Sequence, residues 1–133
     1  MPAVVGDTHV AIWMVMAQEK LSASATSAIE AANADGSPII ISTISLAEIV
    51  FLIERNRIPQ TAFDVLMDRA KRDSFGIEIR SFTRRFASTM AAIPRAEIRD
   101  LPDRMIAATA VALNLPLITA DAEIRQSSIA TIW

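Results

Sequence analysis

The chain has no cysteine and a single histidine. Disulfides, thiolate zinc sites, cysteine nucleophiles and imidazole-rich metal sites are thereby excluded, and any metal must be held by oxygen. Long hydrophobic runs are missing too. The most apolar stretches, VAIWMVMA and ISLAEIVFLI, are too short or carry a glutamate, and no basic segment precedes the first. The expectation is a cytoplasmic protein with no membrane segment. Low-complexity segments and internal repeats are absent, and lysine is limited to Lys20 and Lys71. What is abundant is apolar content. With 52 % of its 133 residues hydrophobic, the chain reads as one soluble domain, residues 1–133, with a real core and no room for a second. A net charge of −2 argues, taken whole, neither for nucleic acid nor for a membrane.

Apolar runs alternate with helical patterns along the chain. PAVVG reads as a short buried strand and DTHVAIWMVMAQ as a helix opened by Asp7. SASATSAIEAANADG is a small-residue helix from Ser22 that stops at Gly36. SPIIIS is the next strand, TISLAEIVFLIERN a helix ended by Pro59, and PQTAFDVLMDRAKRD another with its charges on one side. FGIEIRS alternates like a strand, and TRRFASTMAAIP is helical up to Pro94. Pro102 is tolerable in a first turn, so PDRMIAATAVALN is a helix. The strand LPLIT, a short helix from Asp121 and a last strand IATIW follow. Strand and helix in repeated alternation predict an α/β fold, a parallel sheet between helical layers in an α/β/α sandwich.

The open crevice of such a sheet lies at the carboxyl ends of its strands. Asp7 follows the first strand, Asp121 follows LPLIT, and Asp103 lies in the first turn of the helix leading into LPLIT. Glu48 comes early in the helix after SPIIIS, and its neighbours Ile44, Ser45, Phe51 and Leu52 make its face largely apolar. At about 7 Å mean separation and an effective dielectric of about 20, four ionised acids repel by about 2.4 kcal/mol per pair, roughly 14 kcal/mol for all pairs. That rivals a domain's stability of about 5–15 kcal/mol. Helix N-termini offset well under about 2 kcal/mol each, so either some acids stay protonated or a divalent cation lies among them. The cation is the simpler answer. An all-oxygen site suits magnesium or manganese, which bind phosphate oxygens and activate water, and the chemistry implied is phosphodiester hydrolysis.

Each residue also has an ordinary explanation. Asp7 and Asp121 are good helix caps, Asp100 and Asp103 can be a cap and a dipole-favoured first-turn acid, and Ser45 with Glu48 spells a capping box. Capping and metal binding are compatible, because a capping acid already lies at the crevice. What capping leaves unexplained is Glu48 on its apolar face. His9 reads as a packing or hydrogen-bonding residue. Thr8 and Thr119 place hydroxyls beside the acids, as water ligands or supporting donors, or make simple strand-end hydrogen bonds. Arg55, Arg57, Arg69, Arg72, Arg84, Arg85, Arg95, Arg99 and Arg104 supply forked donors suited to phosphate, although solvated helix faces account for arginines as well.

These residues carry a resemblance. VVGDTH, ISTISLAEIV, DLPDRMIAATAVALNLPLITAD and IATIW resemble, in order, a PIN-domain ribonuclease, and specifically a VapC-type toxin of a bacterial toxin–antitoxin pair. The resemblance implies a parallel PIN-like sheet whose acids bind Mg2+ or Mn2+ and cleave RNA. Position by position it assigns catalysis and metal binding to Asp7, Glu48, Asp103 and Asp121; Thr8, Thr119 and Asp100 are read as supporting groups from their places beside these acids. One departure stands out: the family reads Asp-Pro-x-Asp-Arg, whereas here the proline is one place later, in DLPDR, which leaves open the helix start and the part of Asp100. The expected mechanism is in-line attack on an RNA phosphorus by water activated at one or two ions. Withdrawing the four acids from the net of −2 leaves +2 on the rest, enough for a mildly basic RNA approach. The high apolar content suits a homodimer and, as the resemblance implies, a bound antitoxin. A catalytically silent PIN-like module that binds RNA or protein is the alternative. A phospho-receiver domain would need a lysine late in the sheet, and neither Lys20 nor Lys71 is one.

An ion that binds only the folded acids stabilises by RT ln(1 + [L]/Kd), about 2.7 kcal/mol at a hundredfold excess over Kd. Millimolar manganese should therefore raise the melting temperature of the wild type in a thermal scan. The rise should shrink in the double variant Glu48→Gln, Asp121→Asn; an equal rise in both proteins would mean that the four acids form no common site.

Overall fold

Alternation within the strands decides which layer of helix each residue meets. In the computed structural model, which describes residues 2–72 and 76–133, β1 (Val4–Gly6) turns Val4 to one side of the sheet and Val5 to the other. β2 (Ile39–Ser42) turns Ile39 and Ile41 to the first side and Ile40 to the second, and β4 (Leu117–Ile118) splits its two residues the same way. Strands apolar on both faces must be covered on both faces. The first side packs against α1 (Thr8–Met16), α2 (Ala23–Asp35), α3 (Thr43–Glu54) and α4 (Gln60–Ala70). The second packs against α6 (Leu101–Leu113) and α7 (Ala122–Arg125), with Ile93 and Ile98 from the segment that follows α5 (Arg84–Thr89) and a 3-10 turn, Met90–Ala92. Alanines at 107, 108 and 110, none of them exposed, let α6 lie close to the strands.

With β3 (Ile77–Arg80) and β5 (Thr131–Ile132), the sheet runs β3-β2-β1-β4-β5, every pair parallel. The expected α/β/α sandwich is therefore the observed one. The chain winds outward from β1 through β2 to β3, then crosses back to place β4 on the other side of β1. The carboxyl ends of β1 and β4 are thus a topological switch point, where an open α/β sheet leaves a crevice.

Most boundaries follow the local chemistry read from sequence. Ser22 caps α2 by accepting from the Ala25 N–H at 3.0 Å, and Gly36 ends it in the left-handed region at φ 72°, which glycine adopts without steric cost. Three expectations need correction. The cap of α3 is Ser42, which accepts from the Ile44 N–H at 3.0 Å, so Ser45 and Glu48 form no capping box. α6 starts at Leu101 under the cap Asp100, which puts Pro102 at the second helical position. The α-helix in TRRFASTMAAIP ends at Thr89 and continues only as the 3-10 turn. Asp73 and Phe75, which the sequence places at the end of the fourth helix and the start of the third strand, lie outside the described residues.

Gly6 closes β1 where α1 turns back over the sheet. A methyl group there would come within 3.1 Å of Ile41 Cδ1 and 3.2 Å of Val10 Cγ1. Gly6→Ala should lower stability by about 1–3 kcal/mol, the usual range for overpacking a filled core, as read from urea denaturation midpoints. An unchanged midpoint would mean that α1 can lift off β1 at no cost.

Candidate metal centre

The crevice is built from the last residues of β1 and β4 outward. The Asp7 N–H donates to the Ile118 carbonyl at 3.1 Å, which fixes the start of α1 against β4. The Asp7 side chain, only 6 % exposed, caps α1 by accepting from the Val10 N–H at 2.9 Å through Oδ1 and accepts the Thr119 hydroxyl through Oδ2. Thr119 Oγ1 accepts in turn from the Asp121 N–H at 3.0 Å, and Asp121 caps α7 by accepting from the Ile124 N–H at 3.0 Å. One buried threonine thus joins the first acid to the backbone of the last.

A second hydroxyl joins Asp7's neighbour to α3. Buried Thr8 lies within hydrogen-bond distance of Ser45 Oγ, at 3.0 Å, and of Glu48 Oε1. Half-buried Glu48 is therefore held by a side chain from the first turn of α1. Ser45, one of two serines that the sequence offers as the cap of α3, is a buried member of this hydroxyl–carboxylate chain. Its signal was present in the i, i+3 spacing to Glu48, which puts both side chains on one helix face. Asp100 is exposed and caps α6 by accepting from the Asp103 N–H at 3.1 Å, so the helix start that the shifted proline left open falls at Leu101. His9 is exposed and rests on Trp13, ring centroids 5.8 Å apart, in the packing role expected of it.

Electrostatics show which acids share a neighbourhood. Asp103 is raised from 3.8 to about 7, first by burial and then by the charges of Asp100, Asp121, Glu48 and Asp7. Burial also raises Glu48, against the lowering hydrogen bond from Thr8, with further upward pushes from Asp100 and Asp7. Asp7 is raised by burial against the hydrogen bonds from Thr119 and Val10, and Asp121 adds repulsion. All four acids are thus brought to one sheet edge and feel one another. They are not closed into a cage: among the described residues no three His, Cys, Asp or Glu side chains are arranged to hold an ion. Asp7, Glu48 and Asp121 are each turned to a neighbouring hydroxyl or backbone N–H.

The donor chemistry nevertheless fits a hard cation. The groups present are carboxylates and hydroxyls, and among the described residues no salt bridge reaches Asp7, Glu48, Asp100, Asp103 or Asp121. A divalent ion would add to the small positive influence of His9 on Asp7 and Glu48 and offset the repulsion that raises Asp103.

Comparison with known proteins places these features in context. The chain matches the PIN domain over residues 4–129. It is 33 % identical over 125 residues to Ribonuclease VapC22 of Mycobacterium tuberculosis (strain ATCC 25618 / H37Rv), a match covering 94 % of this chain and 92 % of that one. Its fold is similar to that of VapBC2 from Rickettsia felis bound to a DNA fragment from its promoter, with a TM-score of 0.68 at 17 % identity, covering 97 % of this chain and 96 % of that one. DNA-bound VapBC from Salmonella typhimurium gives a TM-score of 0.67 at 21 % identity, covering 98 % and 97 % of the two chains.

The raised Asp103 value has a pH consequence of definite sign. Between about 4 and about 7 the folded chain keeps a proton that the unfolded chain has released, so its contribution to stability is full below that window and lost as pH rises through it. Asp7 and Glu48, also raised, act in the same sense. Without divalent ions, urea stability should therefore fall from about pH 4.5 to about pH 7.5, and Asp103→Asn should make the fall shallower. An identical slope in the variant would mean that Asp103 titrates like a solvated carboxylate.

Proposed function

The chain belongs to the PIN domain family, and from that premise we propose that it is a metal-dependent endoribonuclease, the toxin of a type II toxin–antitoxin pair. The observation that carries this reading is the meeting of Asp7, Glu48, Asp103 and Asp121, from four separate segments, at the switch point of the sheet, where Asp103 is pushed up to about 7 in part by the other three. The 33 % identity to a ribonuclease along nearly the whole chain supports it.

In this reading Asp7 and Asp103 are the principal ligands of Mg2+ or Mn2+, and Glu48 and Asp121 complete the set. When bound there, the cation would lower the pKa of a water and offset charge on the phosphate oxygens. The protein's own groups prepare the site. Thr119 holds one oxygen of Asp7 while the Val10 N–H holds the other, which fixes the plane of that carboxylate. Thr8 orients Glu48 from the opposite wall. Asp100 keeps the first turn of α6 in place and adds negative charge beside Asp103 without itself being buried. Because the ion favours ionised ligands, its affinity rises with pH through the Asp103 transition. The same uncompensated charge suits inhibition by an arginine of an antitoxin, whose planar fork can pair with two carboxylates.

The substrate is RNA, approached by the remainder of the surface once the acids have been neutralised. Exposed Met16, Val50, Phe51, Leu101 and Val111 support binding to an antitoxin and to a second copy, since large apolar side chains in water favour a partner.

Asp7→Asn and Asp103→Asn should each abolish RNA cleavage while thermal stability is kept or raised, because each removes a repelling charge. A purely capping Asp7 predicts retained cleavage with stability little changed, because asparagine caps a helix about as well as aspartate. A cleavage assay across a manganese titration, run beside melting scans, decides between them. Wild type that binds RNA without cutting it at any manganese concentration would instead make the chain a silent binding module.

A further inference from the structure

Two carboxylates outside the crevice tie the segment that carries Asp100 and Asp103 to the segment that carries Asp121. Glu123, in the first turn of α7, accepts the Arg99 backbone N–H at 2.9 Å through Oε1, and Arg99 Nε and Nη2 at 3.0 Å through Oε2. Glu97 works in the opposite direction. Its Oε1 accepts the Ser128 N–H at 2.7 Å and its Oε2 the Ser128 hydroxyl at 3.3 Å. The partners are 24 and 31 residues apart, so the two clamps join separate segments, one on each side of β4.

Their exposure argues against a role in bulk stability. The Arg99 side chain is 78 % exposed, and surface ion pairs of this kind contribute little. Their placement argues for geometry. Arg99 immediately precedes Asp100, the cap of α6, and Glu123 lies two residues beyond Asp121, the cap of α7. Like charges on Asp100, Asp103 and Asp121 push these two helix starts apart. A carboxylate that grips both a backbone N–H and a guanidinium fixes direction as well as distance.

We propose that the Glu123–Arg99 clamp, which ties the residue before the α6 cap to the first turn of α7, and the Glu97–Ser128 clamp, which ties the chain before α6 to the turn after α7, are positioning groups that keep α6 and α7 side by side, setting the spacing at which Asp103 and Asp121 share a divalent cation. This rests on the metal-site reading above and adds four side chains to it, Glu97, Arg99, Glu123 and Ser128.

The test is Mn2+ affinity by calorimetry on the full chain, with hydrogen exchange at the Arg99 and Ser128 amides. The proteins compared are wild type, Arg99→Ala, Glu97→Ala, Glu123→Ala and Glu123→Gln. By charge alone, Arg99→Ala would tighten Mn2+ binding, because it removes a cation beside the acids. Lost positioning predicts the opposite, a weakening of about tenfold, the lower end of the range typical for groups that orient metal ligands. Glu97→Ala should weaken binding similarly and speed exchange at Ser128. Glu123→Gln, which keeps an acceptor for the Arg99 N–H, should recover part of the affinity that Glu123→Ala loses. Because the variants address two separate clamps, one that fails to fold leaves the other to decide. Affinity in Arg99→Ala equal to or tighter than wild type, with wild type binding Mn2+ and cleaving RNA, overturns the positioning role alone. Wild type that binds no Mn2+ overturns the metal site and this role together.

Discussion

The carboxylate of Asp7, almost wholly removed from water at the centre of the sheet, is the constraint around which the rest is arranged. A buried charge must be neutralised or hydrogen-bonded. Here the Thr119 hydroxyl and the Val10 N–H provide the bonds, which obliges β4 to lie beside β1 and α1 to begin at once. The order of the strands, the start of the first helix and the shape of the crevice all meet at this one side chain. Its local duty as a helix cap and its proposed duty as a metal ligand do not compete. A cap at the end of a parallel strand already faces the crevice.

Two hydroxyl relays extend this centre in opposite directions. Thr119 passes it to the backbone of Asp121, and Thr8 passes it to Glu48 and Ser45. Asp103 stands apart from both. Burial and the surrounding negative charge raise its pKa to about 7, with no hydrogen bond among the causes to oppose them. The proposed site is therefore well braced where it is buried and under tension where it is half-open. On this reading, tension at Asp103 is the feature that draws in a cation.

The core and the acids were legible in sequence for a simple reason: both depend on local pattern. Runs such as PIIIS with apolar residues on both faces specify a buried parallel strand, and acids just beyond strand ends specify the crevice. Asp7 and Asp121 were read in that way, and Asp103 and Glu48 from their places in the helices that flank the same sheet edge. What escaped depended on partners distant in sequence. Nothing near Glu123 announces that it will accept from Arg99, and nothing near Glu97 points to Ser128. Sequence alone left Ser42 and Ser45 both able to cap α3, because the spacing of Ser45 to Glu48 fits a capping box; Ser42, one turn earlier, is the one that satisfies the helix start. The shifted proline was the reverse case. A local irregularity looked consequential, yet the helix begins one residue before Pro102, where a missing N–H costs nothing.

The hydrogen bond between Thr119 and Asp7 spans 112 positions of the chain. During synthesis Asp7, α1, β2 and α3 are made long before β4 exists to lie beside β1, so a ribosome-bound nascent chain carries the first acids without their bracing hydroxyl or their last companion. Parallel pairings across such separations close slowly, because the loop must be ordered before the contact can repay it. The centre is thus assembled by the last quarter of the chain. On the proposed reading, a chain built in this order lacks Asp103, Thr119 and Asp121 until β4 and the helices on either side of it have been made.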